Sequence, residues 1–205
     1  MTPTTTARRR DAIANQQRIL QVGRQVLAAN PDASLAEIAA AAGLVRRTLY
    51  AHFPNREALV QAISDEAAQA LREVLADADG SGGPAAEALA RFVLKAWPVG
   101  DRYRLLVDLA TASLTPAGVR ETLRGLRSDV TELMRRGQRE GDFTSTVPAE
   151  VLAYAQSSLM LGLLAAVTDG ALDEAEAPQT AALLALQAVG LPTARRRKVL
   201  AAAVG

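Results

Sequence analysis

The chain has 205 residues, enough for one large or two small domains, and its 49% hydrophobic and 22% charged residues make a globular rather than a disordered balance. With no cysteine and a single histidine, it excludes a disulfide scaffold, a thiolate or two-histidine metal site, and most Ser-His or Cys-His catalytic constellations. The net charge is only +1 but uneven: residues 1–56 hold eight arginines against three acidic residues, whereas residues 57–205 hold 15 basic against 19 acidic ones, so the head is the part suited to an anionic partner.

Ala and Leu dominate and β-branched runs are scarce, which predicts an all-α fold. Residues 1–10 are basic and lack an apolar stretch, so they read as a disordered tail rather than a secretory leader, and the cytoplasm is the expected compartment. From Asp11 the spacing of Ile13, Ile19, Val22, Val26 and Leu27 predicts a first helix. It stops at Asn30-Pro31, where Asn tolerates a left-handed C-terminal position and Pro cannot continue. Ser34 opens a second helix; its S-x-x-E spacing to Glu37 is that of a capping box, and Leu35, Ile38, Ala39 and Ala42 form its inner face. Gly43 ends it. A third short helix follows over about 46–53, and Asn55 caps a fourth running to about residue 78. DGSGGP (79–84) reads as a loop. Further helices are predicted at 85–96, 101–114, 117–140, 148–169 and 175–189, separated at Trp97-Pro98, Thr115-Pro116, Gly141-Asp142 and Val147-Pro148. A short helix is expected in the tail TARRRKVLAAAVG.

Residues 34–53, SLAEIAAAAGLVRRTLYAHF, carry the functional signal. A capped helix, a glycine turn and a second short helix make a helix-turn-helix, in which the first helix braces the second in the DNA major groove. Small alanines at 39, 40 and 42 suit close helix approach, and Gly43 suits a turn with close crossing or positive φ. Leu44, Leu49 and Phe53 face the predicted core, which leaves Arg46, Arg47, Thr48, Tyr50 and Ala51 near the groove. Over about residues 15–63, the pattern IAAAAGL..RTLYAHFPNREALV resembles the TetR family of transcriptional regulators, with T-L-Y-x-H-F as its most specific element.

The resemblance implies an N-terminal helix-turn-helix head (1–56) joined by a long fourth helix (57–78) to a larger helical ligand-binding and dimerisation domain (57–205), with the helices of 148–190 at the dimer interface. It implies a homodimer that binds a palindromic double-stranded DNA operator and is released by a small-molecule effector through movement of the fourth helix. It places Thr48, Tyr50 and His52 at or near backbone phosphates, with Arg56 and the capping residue Ser34 as further candidate contacts. For His52, a pH switch and a buried structural role are the other readings. Arg46 and Arg47 are the candidate base readers, since arginine bridges guanine O6 and N7. Arg8–Arg10 could reach along the DNA. Three positions depart from the family pattern. Val45 stands where a capping Ser is common, Arg47 where a small residue or Pro is common, and Ala51 where a larger side chain is common.

The second domain is less legible. Phe92, Trp97, Arg102, Tyr103, Met134 and Tyr154 are candidate ligand-binding residues, chosen as large or chargeable side chains in a chain poor in aromatics. Val151–Thr168 is uncharged and of near-spanning length. Its Gln156, Ser157 and Ser158, and the acidic residues that bound it, favour a buried dimer helix over a membrane span, with Ala155, Ser158, Gly162 and Ala166 allowing close approach of a partner. The Arg195–Lys198 run reads as a solvated helix face. No metal, cofactor or catalytic site is expected: there is no phosphate-binding loop, dinucleotide fingerprint or nucleophile elbow. The alternative to an effector-released repressor is an architectural or partner-controlled dimeric DNA-binding protein without a small-molecule ligand.

Overall fold

A computed structural model describes residues 5–113 and 121–204, with side-chain surroundings described for 13–103 and 121–203. Among the described residues every regular element is a helix: α1 (Thr5–Ala29), α2 (Leu35–Ala41), α3 (Arg46–His52), α4 (Arg56–Gly80), α5 (Ala85–Ser113), α6 (Arg124–Arg139), α7 (Ala149–Thr168), α8 (Ala177–Ala188) and α9 (Thr193–Val204). The chain divides into two units, residues 1–66 with 105–119, and residues 67–104 with 120–205.

In the first unit, α1 starts at Thr5, ahead of the predicted Asp11, so Arg8–Arg10 lie on helical backbone rather than in an unstructured tail. Alanine and arginine are good helix formers, and nothing in ARRR breaks the turn. The side chains of Arg8–Arg10 lie outside the described residues. Ile19 and Leu27 are fully buried, but Ile13, predicted for the inner face, is half exposed. The helix ends without a left-handed residue at Asn30, since among the described residues no non-glycine residue has positive φ. Instead the Asn30 amide donates to the Val26 carbonyl, its side-chain oxygen accepts from the Asp32 N–H at 3.2 Å, and its carbonyl accepts from the Ala33 N–H. The asparagine thus stops α1 by an Asx turn, which serves the same end by a different geometry.

Ile19, Leu27, Leu35, Ile38, Leu49, Phe53, Leu59 and Ile63 are buried in this unit. Ala39 and Ala42 are buried with them, but Ala40 is exposed and takes no part in helix approach. α1 and α4 come close at Gly23, where a Cβ would sit 3.3 Å from Leu59. Arg24 pairs with Glu66 at 3.5 Å across the same two helices.

The second unit has a separate core. Leu75, Leu89, Val93, Trp97, Leu133, Met134, Phe143, Leu152, Leu164, Leu186 and Val199 pack with a set of alanines from α5, α7 and α8. α5 is one helix where two were predicted: Pro98 lies inside it. Proline's fixed φ is itself helical, and the cost is one missing donor and some crowding. Pro98 is exposed, where an unpaired carbonyl is most easily hydrated, while the flanking Trp97 is buried. The first turn of α5 is capped from a distance. The Ala85 N–H donates to the Glu140 carboxylate at 2.8 Å and the Ala86 N–H to Asp142 at 3.4 Å. Carboxylates at a helix N-terminus meet both unpaired donors and the positive end of the dipole. α6 begins at Arg124; the predicted break at Thr115-Pro116 and the predicted helix start at 117 lie outside the described residues.

α7 and α8 are joined by Gln156, a buried polar side chain whose amide donates to the Ala185 carbonyl at 2.9 Å. α9 closes the chain as expected, but the Arg195–Lys198 run is only half solvated. Arg195 pairs with Asp142, and Arg196 donates to Gln187 and to the Thr193 hydroxyl, while Arg197 and Lys198 are exposed.

Candidate nucleic-acid interface

The head is built around two short helices whose ends are fixed by identifiable contacts. Ser34 accepts the Glu37 N–H on its hydroxyl at 3.3 Å, and the Glu37 carboxylate accepts from the Ser34 N–H at 2.8 Å and hydroxyl at 2.6 Å. This is the predicted capping box. The hydroxyl, then the backbone N–H, of Ser34 hold the Glu37 carboxyl below the usual carboxylate range. At the other end of α2, the Gly43 N–H donates to the Ala40 carbonyl and the Leu44 N–H to Ala39, the paired bonds of a Schellman turn. Gly43 has φ +66°, yet a Cβ there would meet nothing within 4 Å. The glycine is therefore required for its backbone angle, and close helix crossing, the other predicted reason, does not apply.

α3 is anchored by Leu49 and Phe53, both buried. Burial of two such side chains contributes about 1.5–3 kcal/mol each. That outweighs the missing cap at Val45, which makes no side-chain cap hydrogen bond, a loss of about 0.5–2 kcal/mol. Anchoring of one face leaves the other outward: Arg46, Arg47, Tyr50 and Ala51 are exposed, and Thr48 and His52 are half-buried beside them. Arg46, Arg47, Tyr50 and Ala51 follow i, i+1, i+4, i+5 and so share one side of the helix. α3 thus presents two guanidiniums and a phenol on a seven-residue helix, short enough to be carried as a unit by α2.

The outer contacts differ in character. The His52 ring packs tilted against Phe53, with centroids 6.4 Å apart. The Arg56 guanidinium donates to the Pro31 carbonyl, so it links the start of α4 to the α1–α2 connection. Asn55 caps α4 as predicted, its side-chain oxygen accepting the Ala58 N–H at 2.8 Å. Ser34 and Arg56, both candidate phosphate contacts, thus already serve bonds within the head.

Residues 19–63 match the model of the bacterial regulatory proteins, tetR family. The head is thus similar to that of the tetR family. A 75-residue stretch is 37% identical to the HTH-type transcriptional repressor LfrR of Mycolicibacterium smegmatis, covering 37% of this chain and 40% of that repressor's length. Over most of the chain the fold is also shared with solved structures. LfrR from Mycobacterium smegmatis in complex with proflavine superposes with a TM-score of 0.68 at 23% identity, over 89% of this chain and 98% of that one. RolR in complex with resorcinol gives 0.67 at 20% identity, over 93% and 95%. FadR, the fatty acid degradation regulator from Bacillus halodurans, gives 0.72 at 17% identity, over 84% and 94%.

Outside this head, the candidate ligand residues do not form one group. Trp97 and Met134 are buried in the core of the second unit, and Phe92 packs against that core. Tyr103 is buried but lies apart from that cluster, and Arg102 is exposed. Tyr154 is half exposed on α7, where the Arg127 guanidinium lies over its ring at 4.3 Å. Composition alone suggested neither Arg127 nor this stacking. Among the described residues no group of three or more His, Asp or Glu is placed to hold a metal ion.

α7 is long and apolar enough to cross a membrane by length and composition. One side of it, with Leu152, Ala153, Gln156 and Leu164, is buried in its own chain. The rest of it is uncovered within the single chain: Val151, Tyr154, Ala155, Ser158, Leu161, Gly162 and Ala165 form an exposed stripe at helical spacing. A Cβ at Gly162 would meet nothing within 4 Å.

Proposed function

We propose that the protein is a dimeric DNA-binding transcriptional regulator of the repressor type, which binds a palindromic operator and releases it when a small-molecule effector binds the second unit. One observation carries the DNA-binding part: α3 presents Arg46, Arg47 and Tyr50 outward from a helix pinned by Leu49 and Phe53. The two arginines read guanine edges, and Thr48, Tyr50 and His52 contact phosphates. Ser34 and Arg56 serve mainly to fix α2 and α4, and add phosphate contacts only where their remaining donors reach. The exposed α7 stripe is the surface on which two copies pair, which brings two heads to one duplex. The protein works in the cytoplasm and needs no cofactor.

The effector part rests on the relatives, since LfrR has been solved with proflavine and RolR with resorcinol. Phe92, Trp97 and Tyr103 are the residues of this chain proposed to meet a ligand. Because Trp97 is the one tryptophan, intrinsic fluorescence reports on its surroundings. One observation favours the alternative of a DNA-binding dimer without an effector: Trp97 and Met134 are buried within the core of the second unit. Screening of a small-molecule library by thermal shift and tryptophan quenching separates the two. A compound that stabilises the protein, quenches Trp97 and lowers operator affinity supports the effector reading; stabilisers that leave DNA binding unchanged support the alternative.

Selection from a random duplex library tests the DNA-binding reading itself. It should return a two-fold symmetric site with half-sites about one helical turn, or a multiple of it, apart. A library that yields no consensus would contradict it.

A further inference from the structure

Among the described residues of the head, Val45 is the most exposed large hydrophobic one, at 68%. It sits at the N-cap of α3 with φ −72° and ψ 145°, and its side chain makes no cap hydrogen bond. The fold gains little from it there. It contributes nothing to the core, and a hydroxyl or amide at the same position would satisfy an unpaired backbone donor of the first turn. Isolated apolar side chains on a surface are ordinary, but this one is placed differently. It directly precedes Arg46 on the outward face of α3, at the end of a recognition helix that meets base edges.

We propose that Val45 is a specificity-determining residue that packs its two methyl groups on the C5-methyl of a thymine next to the bases met by Arg46. The thymine methyl is the one apolar feature on the major-groove edge of the base pairs, and apolar side chains select it. A β-branched side chain has a single dominant χ1 rotamer in many backbone settings, so it offers a preformed apolar surface with little entropy to lose. This inference rests on the DNA-binding reading above. It also accounts for the missing cap: the position is used for the groove, at the expense of the start of the helix.

The test replaces thymine by deoxyuracil, which lacks only the methyl, one position at a time in the selected operator. The wild-type protein should lose affinity at one thymine in each half-site, by about fourfold per half-site, the value of one methyl group removed from an apolar contact. Val45→Ser should bind thymine and deoxyuracil equally, yet melt at a higher temperature because it restores the cap. Val45→Thr, which keeps one methyl, should retain part of the discrimination. A merely structural role would move stability and methyl sensitivity together, whereas here they move in opposite directions. If no deoxyuracil substitution weakens the wild type, or if Val45→Ser keeps the same sensitivity, the proposal is overturned and, in the second case, Ala51 is the methyl reader. Failure to bind any specific duplex would overturn the DNA-binding reading as well.

Discussion

Gly43 and Gly137 both resist a side chain, but for different reasons. At Gly43 the space is open and the backbone angle is the obstacle, so Gly43→Ala should cost about 1–2 kcal/mol, the penalty of a left-handed non-glycine residue. At Gly137 the angle is ordinary and the space is absent: a Cβ would lie 2.1 Å from the Phe143 ring, which is buried in the core. Gly137→Ala should therefore cost about 1–3 kcal/mol or more as overpacking, and Gly137→Ala with Phe143→Leu should recover part of it. Urea denaturation midpoints of the three variants check both statements. Gly43 was legible because a short capped helix before it and a second helix after it require a turn. Gly137 was not, because its partner lies six residues on, around a turn whose direction the sequence does not state. Ser34 adds a pH dependence. Its hydrogen bonds lower the Glu37 pKa in the folded state, so their stabilisation is present above the ordinary carboxylate pKa and is lost as pH falls through the lowered one. Ser34→Ala should thus destabilise at neutral pH, with the difference from wild type shrinking in acid. A constant difference from pH 7 to pH 3 would show that Glu37 takes no part.

Single elements were readable where local chemistry decided them and misread where tertiary packing did. The capping box, the glycine turn and the Asn55 cap fixed α2, α3 and the start of α4 from the residues alone. Trp97-Pro98 suggested a break because proline opposes helix interiors, but the α5 core residues on one side and an exposed Pro98 on the other let the helix run through. Gln156 was read as a polar interruption of an apolar helix; its structural use is to tie α7 to the Ala185 carbonyl of α8. Val189 also donates to that carbonyl, at 3.4 Å, so the acceptor is not orphaned when Gln156 is removed. Gln156→Leu, which keeps the volume, should cost only about 0.5–1.5 kcal/mol, the net worth of one hydrogen bond. Gln156→Ala adds a cavity and should cost about 2 kcal/mol or more. Equal losses, measured by thermal or chemical unfolding, would mean that packing at this site is unimportant.

At the scale of the whole molecule, the sequence disclosed the head and left the body to composition. Residues 34–53 must satisfy local rules that are visible in any single chain, whereas a ligand site is assembled from residues far apart, and the six candidates chosen for size and scarcity proved scattered between core, α5 and α7. The exposed α7 stripe was legible in its small residues Ala155, Ser158 and Gly162, but not in Val151, Tyr154 and Leu161, because large apolar residues also line the buried side of α7. If that stripe joins two copies, Leu161→Glu, a change at an already exposed position, should leave the fold intact and shift the protein from dimer to monomer in sedimentation. The outward arginines of α3 are proposed to hold an operator, and fluorescence anisotropy with the selected duplex tests this most directly. Arg46→Ala with Arg47→Ala should keep the wild-type circular dichroism and lose about 2 kcal/mol or more of binding, a fall of roughly thirtyfold or greater. A folded double variant that binds the same duplex as tightly as wild type would contradict the account.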